Sequence, residues 1–261
     1  MEGALDRPRD PLPSRVQDLP SLPPEYHTVL DAGLAALGLE PDAGVRQALD
    51  AHVSFLLAWT VAINLTAIRV PADAARLHVL DSLAAAPHLR ARGITRLLDI
   101  GSGGGFPGLP LAIVLGSDRT LLVDSVGKKV RFLQAVIEAT GLERRVAAET
   151  SRSEALARDP RDREGWPAVT ARAVTSLAEL VELGLPLVAP GGVLIAWKRG
   201  PLDDELAAAA GALRELRAGP VEVLPSGVPG LDDHRLVVIP RGGPVDARFP
   251  RDPAERKRRP L

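Results

Sequence analysis

The feature that most constrains the fold of this chain is a run of glycines that directly follows a short apolar segment. Residues 97–100 have the character of a buried strand, and four of the next five residues, 101–105, are glycine. Glycine tolerates positive φ and lets the backbone approach a ligand closely, at a cost in conformational entropy. In open α/β sheets, such a turn after the first strand is where nucleotides bind. The pattern therefore predicts a nucleotide site built on a parallel sheet.

Two registers of the glycine turn are open. Gly103, Gly105 and Gly108 fit the G-x-G-x-x-G fingerprint of dinucleotide sites, although that loop should begin directly after the strand. The other register, Asp99-x-Gly101-x-Gly103-x-Gly105, places an acid two residues before the first glycine and resembles the S-adenosylmethionine (SAM) methyltransferases. No Lys-Ser or Lys-Thr pair follows the glycines, so the turn is not a P-loop. SAM carries no phosphate and needs no such pair.

An acid also ends the second apolar run. Asp124, followed by Ser125, comes about 20 residues after the glycines, where a carboxylate can accept hydrogen bonds from ribose hydroxyls. An acid at a strand end is otherwise a common solvated turn residue. Together with the glycine turn, Asp124 is predicted to bind the ribose of NAD or of SAM.

From residue 95 onward, short apolar runs alternate with helical periodicity. Strands are expected at 95–100, 120–123, 144–148, 167–172, 192–197, 221–224 and 236–239. Helices are expected at 109–115, 127–140, 177–185 and 203–216. This alternation predicts an α/β, Rossmann-like fold with a mostly parallel central sheet and helices on both faces.

The regions outside this alternation differ in composition. Six of the first 24 residues are proline, so residues 1–24 are predicted to be a disordered tail. Residues 25–90 carry apolar residues at helical spacing and are predicted to form a helical N-terminal cap. Residues 91–247 are the expected cofactor-binding core. Residues 248–261 hold six basic and two acidic residues and are expected to be a basic C-terminal tail.

Composition excludes several chemistries. The 261 residues include no cysteine, which excludes disulfides, cysteine-ligated metals and thiol catalysis. The five histidines show no ligand spacing, so no metal site is predicted. A net charge of −1 excludes a globally basic nucleic-acid-binding protein but allows a local basic patch. No uninterrupted apolar span or signal core is present, so we expect a cytoplasmic protein without membrane contact, and a monomer because the exposed helix faces are polar.

Five stretches, in order, resemble one family, the bacterial ribosomal small-subunit methyltransferase G, also called glucose-inhibited division protein B. They are Asn64-Leu65-Thr66, His78-x-x-Asp81-Ser82-Leu83, LLDIGSGGGFPGLPLAI, Asp124-Ser125-x-Gly127-Lys128-Lys129-Val130-Arg131-Phe132-Leu133 and Ala171-Arg172-Ala173. The C-terminal RFPRDPAERKRRPL is similar to the family's basic end, so the resemblance runs from about residue 49 to the C-terminus. The chain departs from the family pattern after Trp59, where Thr60 and Val61 stand in place of an asparagine and a basic residue.

The resemblance implies SAM-dependent methylation of N7 of a guanine in 16S rRNA, guanine 527 near the decoding site, with the 30S subunit as partner. By similarity, Ser153 and Glu154 would lie beside the adenine, and Arg172 would reach the cofactor or the target. With the two motifs, the expected cofactor-binding residues are Asp99, Gly101, Gly103, Gly105, Phe106, Asp124, Ser125, Ser153, Glu154 and Arg172. The expected RNA-binding residues are Asn64, His78, Asp81, Lys198, Arg199, Arg256, Lys257, Arg258 and Arg259.

Guanine N7 carries a free lone pair and no proton, so methyl transfer to it needs positioning and desolvation rather than a general base. No catalytic residue is therefore predicted. A methyltransferase acting on another RNA or on a small molecule is an alternative, since fold and cofactor do not fix the target. A nicotinamide-dependent oxidoreductase using Tyr-x-x-x-Lys is excluded, because the sole tyrosine, Tyr26, precedes the sheet. A non-catalytic RNA-binding module is the remaining alternative.

Overall fold

The computed structural model describes residues 12–261, which build one seven-stranded sheet covered by helices. The spatial order of the strands is β3-β2-β1-β4-β5-β7-β6. The strands are β1 (Arg96–Ile100), β2 (Arg119–Asp124), β3 (Val146–Thr150), β4 (Trp166–Arg172), β5 (Val188–Arg199), β6 (Glu222–Pro225) and β7 (His234–Pro240). Strands β1 to β5 are parallel, and β7 lies antiparallel between β5 and β6. The predicted Rossmann-like, mostly parallel sheet is confirmed.

The helices flank this sheet and precede it. They are α1 (Pro24–Ala36), α2 (Ala43–Ile63), α3 (Pro71–Ala74), α4 (Asp81–Leu83), α5 (Ala86–Ala91), α6 (Gly108–Leu115), α7 (Gly127–Ala139), α8 (Ser153–Leu156), α9 (Leu177–Gly184), α10 (Asp203–Glu215) and α11 (Pro253–Arg258). A π-helical stretch, Ala75–Leu80, joins α3 to α4 without a break.

Helices lie on both faces because each buried strand is apolar on both sides. In β1, Leu97 and Leu98 point into two different hydrophobic clusters, as the two-residue period of a strand requires. The first cluster receives α1, α2, α6 and α7, and the second receives α9 and α10. Chain order reverses direction between β1 and β4, which opens a crevice at the carboxyl ends of these strands.

The helical cap begins at α1 and is part of the first cluster. Tyr26 and Leu30 of α1 are fully buried there. Asp42 caps α2 by accepting a hydrogen bond from the Val45 amide at 2.8 Å. The helix ends at Asn64 in the left-handed conformation, φ 51°. The loop after Asn64 leads to α3 and places the π-helical stretch over the carboxyl edge of the sheet.

The N-terminal segment differs from the predicted tail. Residues 1–11 lie outside the described residues, but residues 12–23 pack against the cap. Val16, Leu19 and Leu22 contact the first cluster, and the Trp59 indole donates to the Pro13 carbonyl at 2.9 Å. The prediction of disorder is therefore corrected for residues 12–23. Prolines remove backbone donors, but apolar side chains every three residues supply a packing face.

The C-terminal segment, predicted to be a basic tail, packs against the rest of the protein. Residues 248–261, which we call the C-terminal arm, contain α11 and lie against α9. Phe249 is buried in the second cluster, and Leu261 contacts it.

Residues 12–261 can be searched for membrane-spanning helices and for metal sites. In this part of the chain, no helix is both long enough and apolar enough to cross a membrane. The same residues contain no group of three or more His, Asp or Glu side chains placed to hold a metal ion.

Candidate functional site

The glycine loop, residues 101–105, follows β1 at the crevice. Gly101, Gly103 and Gly105 adopt φ of 71°, 57° and 92°, a region that L side chains rarely occupy. A Cβ on Gly101 would lie 2.7 Å from Val174, and one on Gly105 would lie 2.9 Å from His52. At Gly103 the nearest atom would be 3.9 Å away. The outer side of Gly103 is therefore open to a ligand.

Asp124 fixes the loop from the end of β2. Its Oδ2 accepts the Gly103 amide at 2.9 Å, and its Oδ1 accepts the Val126 amide at 2.9 Å. Lys129 Nζ lies 3.7 Å from Oδ2. A carboxylate has about four acceptor positions, so these two hydrogen bonds leave about two of them unused. Ser125, beside it, is exposed.

Asp99 lies beneath the loop and not in it. The side chain is fully buried, and its Oδ1 accepts a hydrogen bond from the Thr170 hydroxyl at 2.7 Å. Burial raises the pKa of Asp99 to about 6. Helix α6 closes over it, because a Cβ at Gly108 would lie 2.6 Å from the Asp99 Cβ. The structure therefore gives Asp99 a role in shaping the loop, which corrects the prediction that it contacts the cofactor.

A stack of three rings joins the loop to the helical cap. Phe106 lies between His52, at 4.4 Å between ring centroids, and His78, at 4.7 Å, with interplanar angles of 20° and 16°. The Arg172 guanidinium lies 5.4 Å from the Phe106 ring centre. The His52 Nε2–H donates to the Gly104 carbonyl at 2.7 Å. Side chains from α2, the π-helical stretch and β4 therefore hold Phe106.

Both histidines of the stack are neutral at pH 7. Burial lowers the pKa of His52 to about 4. Burial, with the neighbouring Arg172 charge, lowers the pKa of His78 to about 3. Because the guanidinium of Arg172 donates to His78 Nδ1 at 3.3 Å, we assign the proton to Nε2, which donates to the Thr66 hydroxyl at 2.7 Å. Neither ring is placed to act as a general acid.

A cleft of about 420 Å³ opens at the carboxyl ends of β4 and β5. Its residues are Ile68, Leu77, His78, Asp81, Arg172, Ala173, Trp197, Lys198, Arg199 and His234. At its base, Asp81 accepts hydrogen bonds from Arg172 Nη1 at 2.9 Å and from His234 Nδ1 at 2.7 Å. The Trp197 indole donates to the Asp81 carbonyl at 2.7 Å. All four side chains are thereby fixed.

The predicted RNA-binding residues are divided between this cleft and the surface. His78, Asp81, Lys198 and Arg199 line the cleft. Lys198 pairs with Glu205 at 2.6 Å, whereas Arg199 is exposed at the rim.

Asn64, also predicted to bind RNA, is exposed at the end of α2. Near it, Val61 is 85% exposed, so the departure from the family pattern places an apolar side chain in solvent.

The basic run of the arm is split by burial. Lys257, Arg258 and Arg259 are exposed, whereas Arg256 is buried. Arg256 donates to Glu154 at 2.6 Å and to Glu179 at 3.3 Å. The prediction that Arg256 binds RNA is therefore corrected: its guanidinium faces carboxylates inside the protein. Ser153 and Glu154 lie just beyond the end of β3.

Sequence reasoning missed four residues of the site. They are His52, Thr66, Trp197 and His234. Thr66 belongs to the Asn64-Leu65-Thr66 stretch and lies 12 residues from its partner His78, but no role is predicted for it. No local pattern marks the other three, because each lies far along the chain from its partner: 52 residues separate His52 from Gly104, 116 separate Asp81 from Trp197, and 153 separate Asp81 from His234. Only the fold brings these three to their partners.

Solved structures with similar folds include methyltransferases. An O-methyltransferase from Bacillus cereus in complex with SAH is 16% identical with a TM-score of 0.54, covering 82% of this chain and 99% of that chain. A SAM-dependent O-methyltransferase from Thermotoga maritima is 16% identical with a TM-score of 0.52, covering 73% and 72%. At these identities the likeness concerns the fold.

Sequence relatives identify the family. A protein from Roseiflexus castenholzii named ribosomal RNA small subunit methyltransferase G is 41% identical over 226 residues, which is 86% of this chain and 95% of that protein. A relative of the same name from Azoarcus sp. is 41% identical over 218 residues, covering 83% and 97%. The model of the GidB family, rRNA small subunit methyltransferase G, matches residues 45–225. The resemblance seen in the sequence is confirmed: the chain belongs to the rRNA small subunit methyltransferase G family.

Proposed function

We propose that this protein transfers the methyl group of SAM to N7 of a guanine in 16S rRNA, guanine 527, within the 30S subunit. The observation that carries the proposal is the position of Arg172. Its guanidinium lies over Phe106 of the glycine-loop side and donates to Asp81 at the base of the cleft. A cofactor site and an acceptor site thus meet at one side chain.

The glycine-loop side fits SAM. Gly103 is open to a ligand, and Asp124 keeps acceptor positions for ribose hydroxyls. Ser153 and Glu154, past the end of β3, would hold the adenine, with Gly101 and Phe106 lining the site. When bound, SAM supplies an electrophilic methyl group.

The cleft side fits an RNA base. Its volume, about 420 Å³, is that of a small-ligand site. Guanine N7 has its lone pair free, so the protein orients the base and excludes water rather than removing a proton. The neutral His78, fixed by Thr66 and Arg172, agrees with this requirement.

Exposed basic side chains of the protein supply the contact with RNA phosphates. Arg199 stands at the cleft rim, and Lys257, Arg258 and Arg259 are exposed on the arm. Binding through such residues weakens with salt. The protein works as a cytoplasmic monomer without a metal ion.

The test uses tritiated SAM, the purified full-length protein and 30S subunits from a strain that lacks the modification. Digestion to nucleosides should recover the label in 7-methylguanosine. Label in another nucleoside would overturn the proposal that guanine N7 is the atom methylated. If only a small-molecule mixture accepts label, the rRNA target is wrong and the cofactor assignment survives.

A further inference from the structure

The C-terminal arm is held to the core by two arginines, Arg251, which is partly buried, and Arg256, which is buried. Arg251 contacts both carboxylate oxygens of Glu182, at 2.9 and 2.7 Å. Arg256 contacts Glu154 at 2.6 Å and Glu179 at 3.3 Å. The Arg256 side chain is 7% exposed and that of Glu154 is 10% exposed. Buried pairs of this kind are little screened by salt.

Glu154 connects the arm to the carboxyl edge of the sheet. It lies in the first turn of α8, four residues after β3 ends at Thr150. Helix α8 has only four residues and no side-chain N-cap. Short helices gain little from their own hydrogen bonds and depend on tertiary contacts. The pair with Arg256 is such a contact for this turn.

The positive charge of Arg256 holds the Glu154 carboxylate in one position. Burial, the largest single influence, would raise the pKa of its carboxyl, but the Arg256 hydrogen bond, a backbone hydrogen bond and the Arg256 and Arg152 charges together hold the pKa below its usual range. The carboxylate is therefore ionised at pH 7 and directed at Arg256. If the guanidinium were removed, a buried charge would be left unpaired, and the turn would have to move to solvate it.

We propose that Arg256 is a positioning residue for the adenine end of the cofactor site. It fixes Glu154, and with it Ser153, and so sets the affinity for SAM without touching SAM. This inference rests on the proposed function, which places the adenine beside Ser153 and Glu154. It also assigns a role to a segment beyond residues 45–225, the part that the family model matches.

The test measures SAM binding by isothermal titration calorimetry with the full chain. Arg256→Gln should raise the Kd for SAM about tenfold, which corresponds to about 1.4 kcal/mol. Arg256→Lys should restore part of the affinity, because it keeps the charge and loses the forked geometry. At saturating SAM, kcat should stay within about twofold. Arg248→Gln is the matched control, since Arg248 belongs to the same arm but pairs with Glu215 at the surface.

Hydrogen exchange separates positioning from general destabilisation. In Arg256→Gln, amides of residues 151–157 should exchange faster, while those of β1 and the glycine loop keep their protection. A folded Arg256→Gln that binds SAM with the wild-type Kd would overturn the inference. If Arg256→Gln does not fold, Arg256→Lys decides, and an unchanged Kd there overturns it too. Failure of the wild-type protein to bind SAM would instead overturn the proposed function, and exchange at 151–157 would still report on Arg256.

Discussion

The two halves of the carboxyl edge are built differently. Around the glycine loop, most hydrogen bonds join residues within about 25 positions: Gly101 and Ser102 amides donate to Val123, and Gly103 donates to Asp124. In the cleft, the bonds join side chains far apart in the chain, such as Arg172 with Asp81 and Asp81 with His234.

This difference indicates that the two halves serve different steps, cofactor binding and acceptor binding. A backbone-held loop has one shape, set by glycines and a strand end, and suits a ligand that is always the same. A side-chain network is set by the whole fold and by the charges within it. Perturbing the cleft should therefore affect acceptor handling most, and perturbing the loop should affect cofactor affinity most.

The largest effect is expected from Arg172→Gln. The change leaves Asp81 buried with His234 as its remaining partner, and breaking a buried pair costs about 3–5 kcal/mol. We expect methyl transfer to 30S subunits to fall about a thousandfold. The exposed Arg92→Gln should leave it unchanged. Transfer by a folded Arg172→Gln within tenfold of wild type would contradict the placement of the acceptor beside this residue.

The pH dependence of stability tests the ring stack at the junction of the two halves. His52 and His78 have pKa values of about 4 and about 3 in the folded protein, below the usual value near 6.5. Between these limits the unfolded chain binds more protons, so stability falls as pH falls. The raised pKa of Asp99, about 6, acts in the opposite direction but is the smaller shift.

We therefore expect the free energy of unfolding to drop by roughly 2 kcal/mol from pH 7 to pH 5. Urea titrations at several pH values measure it. His52→Gln should flatten the slope, while His88→Gln, outside the stack, should not. If stability instead rises as the pH is lowered from 7 to 5, the pKa shift of Asp99 has a larger effect on stability than the shifts of the two histidines.

A smaller effect is expected in the loop itself. Gly105→Ala places a Cβ 2.9 Å from His52 at φ 92°, and such strain costs about 1–3 kcal/mol. The Kd for SAM should rise about thirtyfold, which is about 2 kcal/mol. Gly141→Ala is the matched control, with φ 67° and no atom within 4 Å of the new Cβ. Equal effects of the two changes on the Kd would show that the loop's close packing has no part in binding.

The smallest effect is expected from substituting the exposed basic residues of the C-terminal arm. Lys257→Gln or Arg258→Gln should raise the KM for 30S subunits about threefold and make the plot of log affinity against log salt shallower by about 1 per lost contact. The kcat should not change. A salt slope equal to that of the wild type in both variants would remove the arm from the RNA contact.

The sequence marks the loop half by its local pattern, whereas it points to cleft residues such as His78 and Asp81 only through the family resemblance, for a physical reason. The seven strands, the glycine loop and Asp124 leave local signals: apolar runs, special backbone conformations and a strand-end acid. His52 and His234 leave none, because their partners are brought near only by the folded sheet. The basic run of the arm shows the same limit: its charges are visible, but the three carboxylates that pair with Arg251 and Arg256 lie 69 to 102 residues away.

The most direct test of the central claim maps the modified base. Unmodified 30S subunits are incubated with the protein and SAM, treated with borohydride and aniline to cleave at 7-methylguanosine, and read by primer extension along 16S rRNA. The account predicts one new stop, at guanine 527, that is lost with Arg172→Gln. A stop at another guanine, or none despite SAM binding, would contradict it.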